Sequence, residues 1–315
     1  MNSRRLLFWT ILGAILLGVL AVLFWPQPVA VDFAKISRGA LSVSVDDEGK
    51  ILGIRGSMIH DHGAYTARGI NLAFNSALIV SLPYDVPCYY MDVVLAVTNK
   101  VPVTPVRGAG HPQGIFVMER LLDRAARELG IDRPEIRRRN LIPTEQLPFT
   151  KGLKTRGDAP IVLDSGDYLA CMEEALERVD FGGFPARQKK ALEEGRYIGV
   201  GIANYVKGTG RGPFETVTVR IGPSGKIMVY SGAAAMGQST HTMLTQIVAE
   251  YLGGDMSNVE VVTGDSSVVP MGIGGSASRQ TVTAGSSALL AAQEVRDKAL
   301  KVAAHMLEAS EEDLE

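Results

Sequence analysis

Cysteine is scarce in this 315-residue chain: Cys88 and Cys171 are the only two, and neither sits in a CxxC or Cys/His ligand spacing. That excludes a disulfide framework, and with it structural zinc or iron–sulfur ligation by these residues. An excess of charge of one sign is missing as well. Lys and Arg number 32 against 34 Asp and Glu, a formal net charge of −2, which fits neither a basic nucleic-acid binder nor an acidic disordered tail. Apolar residues reach 46%, enough for a real core in one large or two ordinary domains. Glycine is abundant, 34 residues with no Gly-X-Y period, and points to loops where backbone rather than side chains approaches something.

Residues 6–25 form an unbroken apolar run whose one polar member is Thr10. As a helix it reaches roughly 30 Å, the thickness of the bilayer's hydrocarbon layer, and it has no polar face. A cleaved signal peptide is the rival reading, but Trp25-Pro26-Gln27-Pro28 follows where a small-residue cleavage site belongs. The expectation is one inner-membrane span contacting lipid through residues 6–25, with Arg4 and Arg5 holding the amino terminus inside. Ser3-Arg4-Arg5-Leu6-Leu7 also partly resembles a twin-arginine export signal. After the span, Val31 to Leu41 and Val45 to Lys50 are similar to the start of the periplasmic adaptor proteins of bacterial efflux pumps. That resemblance makes residues 1–48 an anchor with a short extended segment.

From Lys50 the pattern changes. Lys50 to Gly56, Leu78 to Leu82 and Tyr90 to Thr98 predict strands. Ile115, Met118, Leu122, Ala125 and Leu129 recur at helical steps between Pro112 and Gly130. Asp132 predicts the cap of a short helix whose end Arg137, Arg138 and Arg139 solvate. Residues 144–164 read as a polar loop and the boundary between a part-domain at 49–150 and another at 151–315. Ser165 predicts the cap of a helix with a stripe of Tyr168, Met172, Leu176 and Val179. Tyr197 to Val206, Phe214 to Ile221, Ile227 to Tyr230 and Val259 to Thr263 predict strands, with helices through Met243 to Leu252 and Leu289 to Val302. Strands and helices mix without strict alternation, so the expected fold class is α+β.

Three loops put small residues and backbone donors next to helix amino termini, where free N–H groups and the helix dipole attract anions. They are Val106 to Pro112, Ala235 to His241 and Met271 to Arg279. Together they describe a grip on a flat, polar, anionic ligand, made mainly through backbone.

Lys50 to Glu315 resembles the middle of the large, molybdopterin-binding subunit of the molybdenum hydroxylases, the family of xanthine dehydrogenase, aldehyde oxidase and aerobic carbon monoxide dehydrogenase. The motifs that carry the resemblance are Arg107-Gly108-Ala109-Gly110, Met118-Glu119-Arg120-Leu121-Leu122-Asp123, Arg138-Arg139-Asn140-Leu141-Ile142, Met236-Gly237-Gln238 with His241-Thr242, and Gly275-Ser276-Ala277-Ser278. The resemblance implies a molybdenum–molybdopterin cofactor, with a cytosine dinucleotide form among the open alternatives. Iron–sulfur and FAD centres would reside on partner small and medium subunits. Cofactor-binding residues would be Arg107, Gly108, Gly237, Gln238, Gly275, Ser276, Ala277 and Ser278, with no protein ligand to the metal. The implied reaction hydroxylates a carbon of a small-molecule substrate with water-derived oxygen and needs a carboxylate base. In the family that glutamate lies beyond the position equivalent to Glu315, so no catalytic residue is assigned here. The chain is expected to be truncated or composite, and inactive alone. The alternative is a membrane-anchored adaptor without catalysis.

Departures from the family pattern narrow the substrate. No cysteine occupies Gly108 to Gly110, Ala109 stands where purine-oxidising members carry an aromatic, and no arginine lies near Ser76. An aldehyde or N-heterocycle is therefore expected. His60-Asp61-His62 reads as a polar turn rather than a metal site, and Gly208 to Gly212 as a hairpin loop between strands. Members of the family acquire their cofactor in the cytoplasm. The body is therefore cytoplasmic if the amino terminus is a fusion artefact, and otherwise exported after folding.

Overall fold

A computed structural model describes residues 41–66 and 68–314, and the chain divides into two compact units. The apolar run at 6–25 lies outside the described residues. Among the described residues no helix is long and apolar enough to cross a membrane.

The first unit contains residues up to Leu78 together with Val86–Asn140. Strand β1 (Ser42–Val45) runs antiparallel to β2 (Ile51–Asp61), and β2 pairs in parallel with β3 (Tyr89–Ala96), giving the order β1-β2-β3. A parallel pair needs a crossover, and helix α1 (Ile70–Ile79) supplies it. The sequence expectation of a strand at Leu78 to Leu82 is thus corrected: this stretch ends α1 and continues as a turn. A short apolar run does not by itself distinguish a buried strand from a buried helix end.

Helix α2 (His111–Leu129) forms where expected, with Pro112 in its first turn and Gly130 closing it at φ 68°. It buries Gly114, Met118, Leu122, Ala125 and Ala126, spaced three or four residues apart apart from one adjacent pair. Helix α3 (Arg133–Asn140) follows. Here a second expectation fails: Arg137 does not solvate the helix end. Its guanidinium is fully buried and donates to Glu119 at 2.8 Å and Asp123 at 3.0 Å, both on α2. The helical period turns Arg137 inward while Arg138 and Arg139 pair with Glu135 at the surface. Asn140 then ties the unit to its first strands, donating to Gly49 O at 2.7 Å and accepting from Ile51 N at 2.8 Å.

The second unit contains Ile79–Asp85 and everything from Leu141 on. Residues 144–164, expected as a loop, hold a one-turn helix and a hairpin of β4 (Phe149–Lys154) and β5 (Pro160–Leu163). Helix α4 (Tyr168–Arg178) is capped by Asp167, whose carboxylate accepts from Ala170 N at 2.8 Å, not by Ser165. Of its expected stripe only Met172 is deeply buried. Helix α5 (Phe184–Glu193) was not foreseen. Residues 197–206, expected as a strand, carry no regular structure.

A second three-stranded sheet follows, β6 (Val217–Ile221), β7 (Ile227–Ser231) and β8 (Val259–Thr263), antiparallel then parallel, in the order β6-β7-β8. Helix α6 (Thr240–Leu252) crosses between the parallel strands, and α7 (Gln280–Leu307) packs on α6 and β6. The core is Val219, Ile227, Val229, Leu244, Val248, Ala284 and Ala288. Small alanines on α7 let it lie close to the sheet. The strand, strand, helix, strand, helix order of the first unit recurs here, so the α+β class is built from two frames of one pattern.

Lys151 on β4 holds the segment Ile79–Asp85 in place by donating to the carbonyls of Ser81, at 3.2 Å, and Tyr84. Burial pushes its ammonium down to about 8 from 10.5. Between those values the folded chain binds fewer protons than the unfolded chain, so its stability rises with pH there. Urea midpoints of wild type measured against Lys151→Met are expected to climb across this window, by at most roughly 1.4 kcal/mol per pH unit. A pH-independent difference would show that Lys151 stays charged.

Candidate functional site

Each of the three glycine-containing loops joins a strand to a helix, and each carries residues other than glycine in the left-handed region. These are Ala109 (φ 42°), Ser239 (φ 62°), and Ala277 and Ser278 (φ 50° and 55°). Such backbone costs about 1–2 kcal/mol per residue and persists where the surroundings impose it.

In the first unit the loop before α2 runs through Gly108, Ala109 and Gly110, all at positive φ. Its carbonyls are drawn inward. Asn75 Nδ2 donates to Ala109 O at 2.8 Å, Ser76 Oγ donates to Gly110 O at 2.8 Å, and the His111 backbone N–H donates to Gly108 O at 3.0 Å. A Cβ at Gly110 would stand 2.2 Å from Leu72 O, so α1 lies against the loop's backbone. Arg107 is exposed. Asn75 and Ser76 hold the loop, and sequence reasoning gave them no such role. Adjacent Asn75 and Ser76 in a mostly apolar helix were the signal.

In the second unit the other two loops meet. Gln238 Oε1 accepts from Met236 N at 2.6 Å, and Gln238 Nε2 donates to Gln280 Oε1. Thr240 Oγ1 donates to the same Gln280 oxygen at 2.7 Å, and Gln280 Nε2 donates to Ala234 O at 2.8 Å. Gly275 packs on this group: a Cβ there would lie 2.5 Å from Gln280 Nε2 and 2.7 Å from Met236 Cε. Gly237, Gln238 and Gly275 are therefore brought together, through a residue the sequence reading did not single out. Gly232 and Gly272 add a backbone-on-backbone approach, since a Cβ on either would come within 2.7 Å of the other's Cα.

The loop before α7 is fixed by a buried ion pair. Arg279 and Glu215 side chains are 1% and 0% exposed, with Nη1 to Oε2 at 2.8 Å. Arg279 also donates to the carbonyls of Gly274, at 2.9 Å, Arg211, at 2.9 Å, and Phe214. Glu215 accepts from the N–H groups of Ile273, at 3.2 Å, and Gly274, at 2.9 Å. Ser276, Ala277 and Ser278 are left exposed above this clamp, with the Ser278 hydroxyl accepting from Lys207. Gly208 to Gly212 is not a hairpin between strands as expected. It packs on the loop instead, with Gly210 N donating to Ser278 O at 3.1 Å and Gly212 fitted against Arg279. Glu215 lies two residues before β6, and nothing in the local sequence marks it.

Other sequence candidates resolve separately. Asp61 is held by Lys100 at 2.8 Å and Thr98 at 2.7 Å, which keeps its carboxyl well below the usual range. The rings of His60 and His62 lie 4.8 Å apart, and desolvation pushes His60 down. Among the described residues no group of three His, Cys, Asp or Glu side chains is placed to hold a metal ion. His241 Nε2 pairs with Thr263 Oγ1 at 3.0 Å rather than with Ser239 or Thr240.

Removing Arg279 would strand the Glu215 carboxylate in the interior. Arg279→Met is expected to cost about 3–5 kcal/mol in urea unfolding, as breaking a buried pair does. Lys226→Met, which breaks an exposed pair with Glu260, is expected to cost far less. Equal effects would mean that the Arg279 clamp adds nothing to the fold.

Two family models, each described as a molybdopterin cofactor-binding domain, match residues 35–141 and 174–315. The chain is 39% identical over 276 residues to the gamma subunit of a 6-hydroxypseudooxynicotine dehydrogenase complex from Paenarthrobacter nicotinovorans, covering 87% of this chain and 35% of that one. It is 33% identical to the carbon monoxide dehydrogenase large chain of Hydrogenophaga pseudoflava, covering 88% of this chain and 36% of the relative. Among solved structures, quinoline 2-oxidoreductase from Pseudomonas putida 86 matches with a TM-score of 0.76 at 32% identity, over 88% of this chain and 36% of that one. The chain thus spans a little over one third of the length of these relatives. The paired domains and the loops that frame them place the chain in the molybdopterin-binding large-subunit family of the molybdenum hydroxylases.

Proposed function

We propose that this chain carries part of the cradle for a molybdenum–pterin cofactor in an oxidoreductase that hydroxylates an N-heterocycle or an aldehyde. The observation that carries the reading is the meeting of two glycine-containing loops on Gln280. Gly237 and Gly274 support the reading. Both hold positive φ, and a Cβ at either would meet nothing within 4 Å. Glycine there leaves the backbone open to a neighbour outside the chain, whereas Gly110 and Gly275 are required by the protein's own packing.

When bound, the group supplies oxygen transfer to carbon and accepts the two electrons released. The chain's own part is to bind and orient. Gly237 and Gly274 bring main chain to the ligand, Gly275 seats that loop on Gln280, the exposed Ser276 offers a hydroxyl, and Ala277 and Ser278 shape the loop. In the first unit Arg107 and Gly108 have the corresponding role, their loop pre-formed by Asn75 and Ser76. The Glu215 carboxylate is closed to water and occupied by Arg279, so it is not the base that hydroxylation needs. We assign that base to no residue of this chain. Iron–sulfur and flavin partner subunits would receive the electrons. An N-heterocyclic substrate is favoured by relatives named for nicotine and quinoline.

Metal analysis of the purified chain is expected to show molybdenum, with pterin fluorescence after oxidation and no substrate-dependent dye reduction without partner subunits. Metal-free protein from cells that make the cofactor would end the reading, and turnover by the chain alone would end the claim of inactivity. Gly237→Ala adds a methyl to the open side. Its conformational cost is about 1–2 kcal/mol, so the variant is expected to fold yet hold little molybdenum. Full occupancy would remove Gly237 from the cradle.

A further inference from the structure

We infer that Gln280 is a positioning residue: it locks the side-chain amide of Gln238 in one orientation, so that Gln238 offers an N–H rather than a carbonyl to the space beside Gly237. This deepens the cofactor reading and rests on it for the identity of the ligand, though not for the orientation itself.

A glutamine amide has two ends of nearly equal shape and opposite hydrogen-bonding role, so its direction is set by its partners. Here a chain of bonds runs between two backbone groups whose roles are invariant. At one end the Ala234 carbonyl can only accept, so Gln280 must turn Nε2 toward it, at 2.8 Å. That leaves Gln280 Oε1 facing the loop, where Thr240 Oγ1 donates to it at 2.7 Å and Gln238 Nε2 donates to it as well. At the other end the Met236 N–H can only donate, and it meets Gln238 Oε1 at 2.6 Å. Both ends demand the same direction, and flipping either amide would set donor against donor or acceptor against acceptor. Gln280 is only 7% exposed, and Gly275 leaves the room its amide needs. The loop that contains Gly275 and the loop that contains Gln238 are thus registered by one side chain. Gln238 Nε2 has two hydrogens and one is committed to Gln280. The other is the group it presents, which suits an acceptor atom on a ligand.

The test uses the full chain labelled with 15N-glutamine, the Gln238 side-chain amide being assigned by its loss in Gln238→Ala. In wild type its two protons are expected at distinct shifts, exchanging slowly with water, with a nuclear Overhauser contact to the Gln280 side chain. Gln280→Met is expected to move them to free-glutamine positions. Gln280→Glu, whose protonated carboxyl keeps an acceptor toward Gln238 and a donor toward Ala234 O, is expected to retain them at low pH. Absence of the wild-type contact, or an unchanged Gln238 signal in Gln280→Met, overturns the proposal, and the wild-type contact decides even if Gln280→Met does not fold. Molybdenum content gives the second arm. Gln238→Ala and Gln280→Met should each lower it, and the double variant should fall no further than Gln238→Ala alone, because one acts through the other. Additive losses would overturn the positioning role. If wild type binds no molybdenum, the cofactor reading fails while the resonance measurement still decides whether Gln280 orients Gln238.

Discussion

The buried pair of Glu215 and Arg279 is the constraint on which the second unit's site depends. Two full charges closed off from water are stable only with their remaining hydrogen-bonding capacity met. Meeting it recruits the backbone of the loop before α7: Arg279 takes the Gly274 carbonyl, and Glu215 takes the N–H groups of Ile273 and Gly274. The loop is held at its base by charge and left open at its tip, where Ser276, Ala277 and Ser278 are exposed. A side chain reaching out from the tip would have to be ordered anew for each ligand. A backbone fixed from beneath needs no such ordering.

The first unit solves the same problem without charge. Asn75 and Ser76, on the crossover helix, capture the carbonyls of Ala109 and Gly110 and hold three successive residues at positive φ. In both units the loop leads into a helix of the repeated strand, strand, helix, strand, helix frame. Glycine serves two purposes within these loops. At Gly110, Gly232 and Gly272 the neighbouring backbone leaves no room for a Cβ, so the residue belongs to packing. At Gly237 and Gly274 there is room but the backbone is left-handed, so the residue keeps a surface bare. Composition alone counts both kinds as one.

Much of the frame was legible from the residues. Pro112 and Gly130 bracket α2, alternation marks β6, and short β-branched or apolar runs mark β7 and β8, because these signals are local. The failures share a cause. Leu78 to Leu82 and residues 197–206 are apolar or alternating stretches whose state depends on whether a partner strand is present, and that partner is distant in sequence. Arg137, read as solvated, is buried because two carboxylates on α2 meet it. Gly208 to Gly212, read as a hairpin loop, packs on residues some seventy positions away.

By itself the sequence determined the glycine-containing loops, their places before helices and the motifs that mark the family, because chain stereochemistry and helix termini act over a few residues. Only the tertiary structure decided what holds those loops. The partners Asn75, Ser76, Glu215 and Gln280 lie 34 to 64 residues from the groups they fix. A hydrogen bond or buried ion pair is specified by position in space, and spacing along the chain carries no record of it.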